Sequence, residues 1–112
     1  MATTDLANYR TLYLQTAKEY IEKMSVGLSQ LSFDISNKQA LNNIHISSHS
    51  LKSQSQVMGF TDMASLSAVI EKSSNDILNG VSQIDDKFIA FLKTSVAELS
   101  LGLTKIKTEM LK

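Results

Sequence analysis

Across 112 residues there is no proline, and only four glycines, Gly27, Gly59, Gly80 and Gly102, break the chain. This scarcity of breakers is the strongest single constraint on the fold. A β-rich domain of this length reverses direction many times, and its tight turns ask for Gly, Pro or Asn-Gly pairs. Long helices need far fewer. The apolar residues agree. Leu6, Tyr9, Tyr13, Ala17, Tyr20, Met24, Leu28 and Leu31 recur every three or four residues, the period of one helix face, and Thr3 or Thr4 can cap its start. A polar stretch, Ser32 to Asn37, holds the first turn. The second segment carries Leu41, Ile44, Leu51 and Met58 on a face interrupted by Ser48 and Ser55, and Gly59 closes it as a C-terminal cap. Thr61 or Asp62 caps a third segment with Met63, Leu66, Ile70, Ser73 and Ile77, which ends at Asn79-Gly80. Asp85 and Asp86 open the fourth at the positive end of the helix dipole, and its stripe is Phe88, Phe91, Ser95, Leu99, Gly102, Ile106 and Met110. The pattern predicts four amphipathic helices near 4–31, 38–58, 62–79 and 85–111. Short connections make neighbours antiparallel, so the expected fold is an all-α, up-down-up-down four-helix bundle, a single domain over 1–112.

Composition narrows the function classes. Eleven basic residues balance eleven acidic ones, which argues against a nucleic-acid binder that works by broad phosphate neutralisation. The absence of cysteine excludes disulfides, a thiolate nucleophile and Cys-based zinc or iron–sulfur sites. No apolar run approaches the ~20 residues of a membrane helix, and the first residues show neither a basic nor an apolar signal region. The expected setting is cytoplasmic, with neither membrane nor nucleic acid as partner and no cofactor.

The second helix carries the chemistry. With Leu51 at 0° and about 100° per residue, Ile44 falls near 20°, Ser55 near 40° and Met58 near −20°, the core side. On the same wheel Lys52 lies near 100°, His45 near 120°, Gln56 near 140° and His49 near 160°. Both histidines of the chain therefore share a polar stripe away from the core. His49 has Lys52 at i+3, a true neighbour on a helix surface. A neutral imidazole nitrogen can attack a phosphoryl group and hold it as a phosphoramidate. An ammonium beside it offsets the charge on the phosphoryl oxygens. An acceptor for the proton on Nδ1 would fix the tautomer and leave Nε2 as the nucleophile. Glu71, on the third helix, is available for that role, because the Gly59 turn folds that helix back beside the second.

His49-Ser50-Leu51-Lys52, followed by Met58-Gly59-Phe60, resembles the signature of histidine phosphotransfer (HPt) domains: His-x-Leu-Lys-Gly, a Gly-Phe-like turn, then a helix with Leu and Glu or Gln. Glu71 falls where that family keeps the acceptor for the other ring nitrogen. The first helix, Tyr9 to Leu31, is similar to the leading helix of the P1 domain of chemotaxis-type kinases. The resemblance implies a phosphoryl carrier and not an enzyme with its own turnover. It would take a phosphoryl group on His49 from a histidine kinase catalytic domain or a receiver, and pass it to an aspartate of a response-regulator receiver domain. Lys52 and Glu71 would assist, and His45, Gln56 and Ser53 would face the partner. Two positions depart from the family pattern. Ser53 stands where glycine is usual, which narrows a partner's approach without blocking it. Ala68 stands where P1 domains often carry a second histidine.

Two other readings compete. His45 and His49, at i and i+4, could ligate zinc from one helix face, but a zinc protease needs Glu where Ile46 stands and no third ligand is evident; no metal is expected. Alternatively the bundle could bind a partner through the same face with no phosphorylation at all.

Overall fold

The computed structural model describes the backbone of residues 3–111 and the side chains of residues 7–111. Four helices follow one another: α1 (Thr3–Phe33), α2 (Lys38–Met58), α3 (Thr61–Leu78) and α4 (Asp86–Met110). The described residues contain no strand. Among the described residues each helix packs on two neighbours, α1 on α2, α2 on α3, α3 on α4 and α4 back on α1. The result is the expected antiparallel bundle, 48 × 21 × 19 Å. None of the described helices is long and apolar enough to cross a membrane.

The helix ends explain how the site is placed. Asn37 caps α2, its side chain accepting the Ala40 N–H at 2.9 Å. At the other end Gly59 sits at φ 77°, and the N–H groups of Gly59 and Phe60 donate to the carbonyls of Gln56 and Ser55 at 3.1 and 2.9 Å. A left-handed residue at this point lets the chain reverse while still satisfying carbonyls of the last turn. Only Gly59 and Phe60 separate α2 from α3, so α3 returns directly alongside. Asp85 caps α4 by accepting the Phe88 N–H at 2.8 Å, as its sequence position suggests. The start of α3 differs from expectation. Neither Thr61 nor Asp62 is the cap; the cap position is Phe60, which makes no side-chain cap bond. Its ring instead packs on Tyr13 of α1 with centroids 4.8 Å apart, so burial rather than a hydroxyl anchors this turn. The capping expected of Thr3 or Thr4, and the place of Leu6 in its stripe, lie outside the described side chains.

The core uses most of the expected stripe residues and adds their flanks. Tyr13, Ala17, Met24, Leu28 and Leu31 are buried with Ile21, whereas Tyr9 is exposed. On α4 the buried set is Leu92, Ser95, Val96 and Leu99, while Phe88 and Phe91 are only partly covered. Six serines are buried as well, among them Ser48, Ser55, Ser67 and Ser74. The hydroxyls of these four are occupied: Ser67 donates to the Met63 carbonyl at 2.7 Å, Ser48 to that of His45 at 2.9 Å and Ser74 to that of Ile70 at 2.8 Å, and Ser55 pairs with the Tyr13 hydroxyl at 2.8 Å. Burial pushes the Tyr13 phenol above its ordinary value, with the Ser55 bond opposing. Small, internally satisfied residues let helices approach closely without orphaned polar groups. Gly27 does the same between α1 and α2, since a Cβ there would lie 2.8 Å from Ile44 Cγ1 and 3.0 Å from the Ala40 carbonyl oxygen.

Candidate functional site

His49, Lys52 and Glu71 meet on one face of the α2–α3 pair. His49 and Lys52 are one turn apart in the middle of α2, held rigid by Leu51, which is buried in the core between them. Glu71 reaches across from α3 and divides its two carboxylate oxygens. Oε2 accepts from His49 Nδ1, and Oε1 accepts from Lys52 Nζ at 2.5 Å. The exposures are graded: 58% for the His49 side chain, 24% for Lys52 and 18% for Glu71. The orienting groups are thus sheltered while the imidazole stands out.

The electrostatics follow from that arrangement. Partial burial pushes the Glu71 carboxyl upward, but the hydrogen bonds from Lys52 and His49, together with their charge, more than offset it and hold the group below its ordinary value. Glu71 is therefore an anion at neutral pH and can only accept protons. An acceptor at Nδ1 requires the proton there, so the neutral ring carries its lone pair on Nε2. An exposed imidazole with Nε2 unprotonated, beside an ammonium, is a nucleophile suited to an anionic electrophile such as a phosphoryl group.

The remaining expected site residues lie around this trio. His45 is half-buried, not fully on the solvent side, because α3 covers the part of the stripe nearest the core. Its Nδ1 lies 3.3 Å from the Glu71 backbone oxygen and 3.4 Å from Ser74 Oγ. Ser53 and Gln56 are exposed and make no hydrogen bond to the trio among the described residues. Gln56 lines a groove of about 310 Å³ between the end of α2 and the start of α3, with Gly59, Thr61 and Ala68. Ser53 lines one of about 290 Å³ between α1 and α2, whose walls include Tyr9, Leu12 and Val57. Gly59 forms the left-handed turn, with open space where a Cβ would be. Ser74 is a residue the sequence alone did not single out. Its signal was its position, one turn past Glu71 and seven residues past Ser67, on the side of α3 that turns toward α2. Among the described residues no three His, Asp or Glu side chains are grouped as metal ligands.

Comparison with known proteins bears on the whole arrangement. The family model of the Hpt domain matches residues 8–102. The chemotaxis protein CheA of Bacillus subtilis is 27% identical over 102 residues, 91% of this chain and 15% of that protein. CheA of Listeria monocytogenes is 25% identical over 100 residues, 89% of this chain and 16% of that protein. The chain thus spans a small fraction of the length of these curated relatives. The solved CheA phosphotransferase domain from Thermotoga maritima superimposes with a TM-score of 0.83 at 22% identity, covering 89% of this chain and 95% of that one. At that identity the structural likeness speaks for the fold.

Proposed function

The chain belongs to the Hpt domain family, the histidine phosphotransfer domains, and we propose that it carries a phosphoryl group on Nε2 of His49 between a histidine kinase or receiver donor and a receiver aspartate. The observation that supports this reading most is the double engagement of Glu71, one oxygen on His49 Nδ1 and the other on Lys52.

The step balances without any further group. The Nε2 lone pair of His49 attacks phosphorus in line with the donor's leaving oxygen. As the N–P bond forms, the donor's P–O bond breaks and its electron pair leaves on the aspartate carboxylate or on the nucleotide diphosphate. The ring gains positive charge as this happens, and the Nδ1 proton shifts toward Glu71 Oε2. Stabilisation that grows with developing charge lowers the barrier and not merely the ground state. Lys52, held one turn away, offsets the negative charge of the phosphoryl oxygens. Return of the proton to the ring makes it a better leaving group when a receiver aspartate attacks, which suits a carrier that must both accept and release.

In this reading the chain supplies no nucleotide site of its own, and a separate kinase catalytic domain or a phosphorylated receiver is the donor. Gln56 and Ser53, exposed on either side of the histidine's helix face, are positioned to meet that partner. Ser53 adds a hydroxyl where a glycine would leave bare backbone, so it affects the closeness of docking more than the chemistry.

Incubation with acetyl phosphate or a phosphorylated receiver, followed by intact-mass measurement, tests the proposal. The expected product gains one phosphoryl group that is lost in acid and kept in base. A chain that binds a receiver yet never gains that mass would instead be an interaction module.

A further inference from the structure

His45 also faces the third helix. It lies on α2 one turn before His49, and both imidazoles turn Nδ1 toward the same residue of α3. His49 engages the Glu71 carboxylate, and His45 the Glu71 main chain. We infer that His45 is a positioning residue, whose Nδ1–H holds the Glu71 backbone so that its carboxylate reaches His49 and Lys52 together. This rests on the reading of His49 as the phosphoryl acceptor.

The hydrogen-bond inventory fixes the tautomer. A main-chain oxygen has two lone pairs, one of them used in the helix ladder. The Ser74 hydroxyl lies 2.8 Å from the Ile70 carbonyl oxygen and 3.0 Å from that of Glu71, so its single proton points back into α3. His45 Nδ1 therefore faces two acceptors, the Glu71 oxygen at 3.3 Å and Ser74 Oγ at 3.4 Å. A bare Nδ1 would set lone pair against lone pair, so Nδ1 carries the proton and shares it between them. Both contacts are at the long end of the hydrogen-bond range and contribute little to stability. Their effect is geometric. With the carboxylate pinned at its tip by His49 and Lys52, and its main chain steadied by His45, Glu71 has little freedom to slide along α2. Orientation errors of about 1 Å near a reacting group can cost ~100-fold in rate, so even a weak tether matters.

The choice of substitutions follows from the ring geometry. Phe at 45 keeps the ring volume and removes the donor. Asn places an amide N–H close to where Nδ1 stood. We expect His45→Phe to keep the helical spectrum and to slow phosphoryl acceptance on His49 about 10-fold, and His45→Asn to recover most of that loss. The His49 ring ¹⁵N signals should shift away from a protonated Nδ1 in His45→Phe and return in His45→Asn, a change that general loosening of the bundle does not reproduce. In the unmodified protein the ¹⁵N signals of His45, recorded at mildly alkaline pH, should show the proton on Nδ1. A proton on Nε2 of His45 would overturn the inference whether or not any variant folds. So would His45→Phe accepting phosphoryl groups at the unaltered rate. Failure of the unmodified protein to be phosphorylated on His49 is a separate result and would overturn the function and not the tautomer.

Discussion

Replacing Glu71 by alanine removes one group and two contacts, and the structure says how the cost should divide. The effect on folding should be small. Glu71 and Lys52 are 18% and 24% exposed and His49 58%, so the three groups are partly sheltered on the surface and stand outside the core. Exposed ion pairs contribute ~0–1 kcal/mol, and 1 kcal/mol moves the melting temperature of a domain this size by about 4–8 °C. Glu71→Ala should therefore melt no more than that below the parent. The effect on phosphorylation should be larger, because the Nδ1 bond strengthens as the ring becomes cationic. A hydrogen bond to a charged partner is worth ~1.5–3 kcal/mol, which corresponds to roughly 10- to 100-fold in rate. Initial rates with a fixed excess of acetyl phosphate, followed by intact mass, give the number directly. Glu71→Gln should fall between, since its amide oxygen can accept from Nδ1 but carries no charge for Lys52. A rate for Glu71→Ala within about twofold of the parent, with the fold intact, would refute the argument that this carboxylate stabilises the reacting ring.

Three further outcomes follow from particular residues. Gly59→Ala should cost ~1–2 kcal/mol in urea unfolding, the penalty for a left-handed L-residue, with no added steric term because nothing lies within 4 Å of the new Cβ; Gly59→Asn should recover part of it. Gly27→Ala should cost ~1–3 kcal/mol by the same measurement, because its Cβ would meet Ile44 and the Ala40 carbonyl and push α1 from α2. The pH dependence follows from Glu71, whose carboxyl is held below its ordinary value. Its contribution to stability is present above the unfolded-state pKa and is lost as the pH falls through the depressed one. The difference in urea midpoint between the parent and Glu71→Ala should accordingly be present at neutral pH and vanish in acid; a difference that grows on acidification would reverse the sign of the coupling.

Much of this molecule is legible in one sequence because helices report themselves locally. The absent prolines, the three-and-four spacing and the Gly59, Asn79-Gly80 and Asp85 punctuation placed all four helices to within a few residues of where they lie. The meeting of His49, Lys52 and Glu71 was also legible: His49 and Lys52 are neighbours on one helix, Gly59 returns the next helix alongside, and the family resemblance singles out Glu71 on it. What escaped depends on neighbours that a single helical wheel does not contain. The wheel put His45 on the polar stripe, but α3 overlies that side of α2, and the ring is half-buried against Glu71 and Ser74. The three-and-four spacing of α4 points to Phe88 and Phe91, whereas the buried edge runs through Leu92 and Val96, since the rotation of α4 is set by α1 and α3 together. Nothing local marks Phe60 as an anchor for the turn, because only the fold brings Tyr13 beside it. Ser48 and Ser55 read as interruptions of the apolar face of α2; in the bundle they are buried small residues with occupied hydroxyls.

Glu71 occupies Nδ1 of His49 and, in the proposed function, so directs a phosphoryl group to Nε2. NMR of the ¹⁵N-labelled, phosphorylated protein reads this directly, by phosphorus coupling to one ring nitrogen and assignment of that ring. The prediction is a single phosphohistidine, at residue 49, with phosphorus bonded to Nε2 and the proton retained on Nδ1. Phosphorus on Nδ1 of His49, or on either nitrogen of His45, would contradict it.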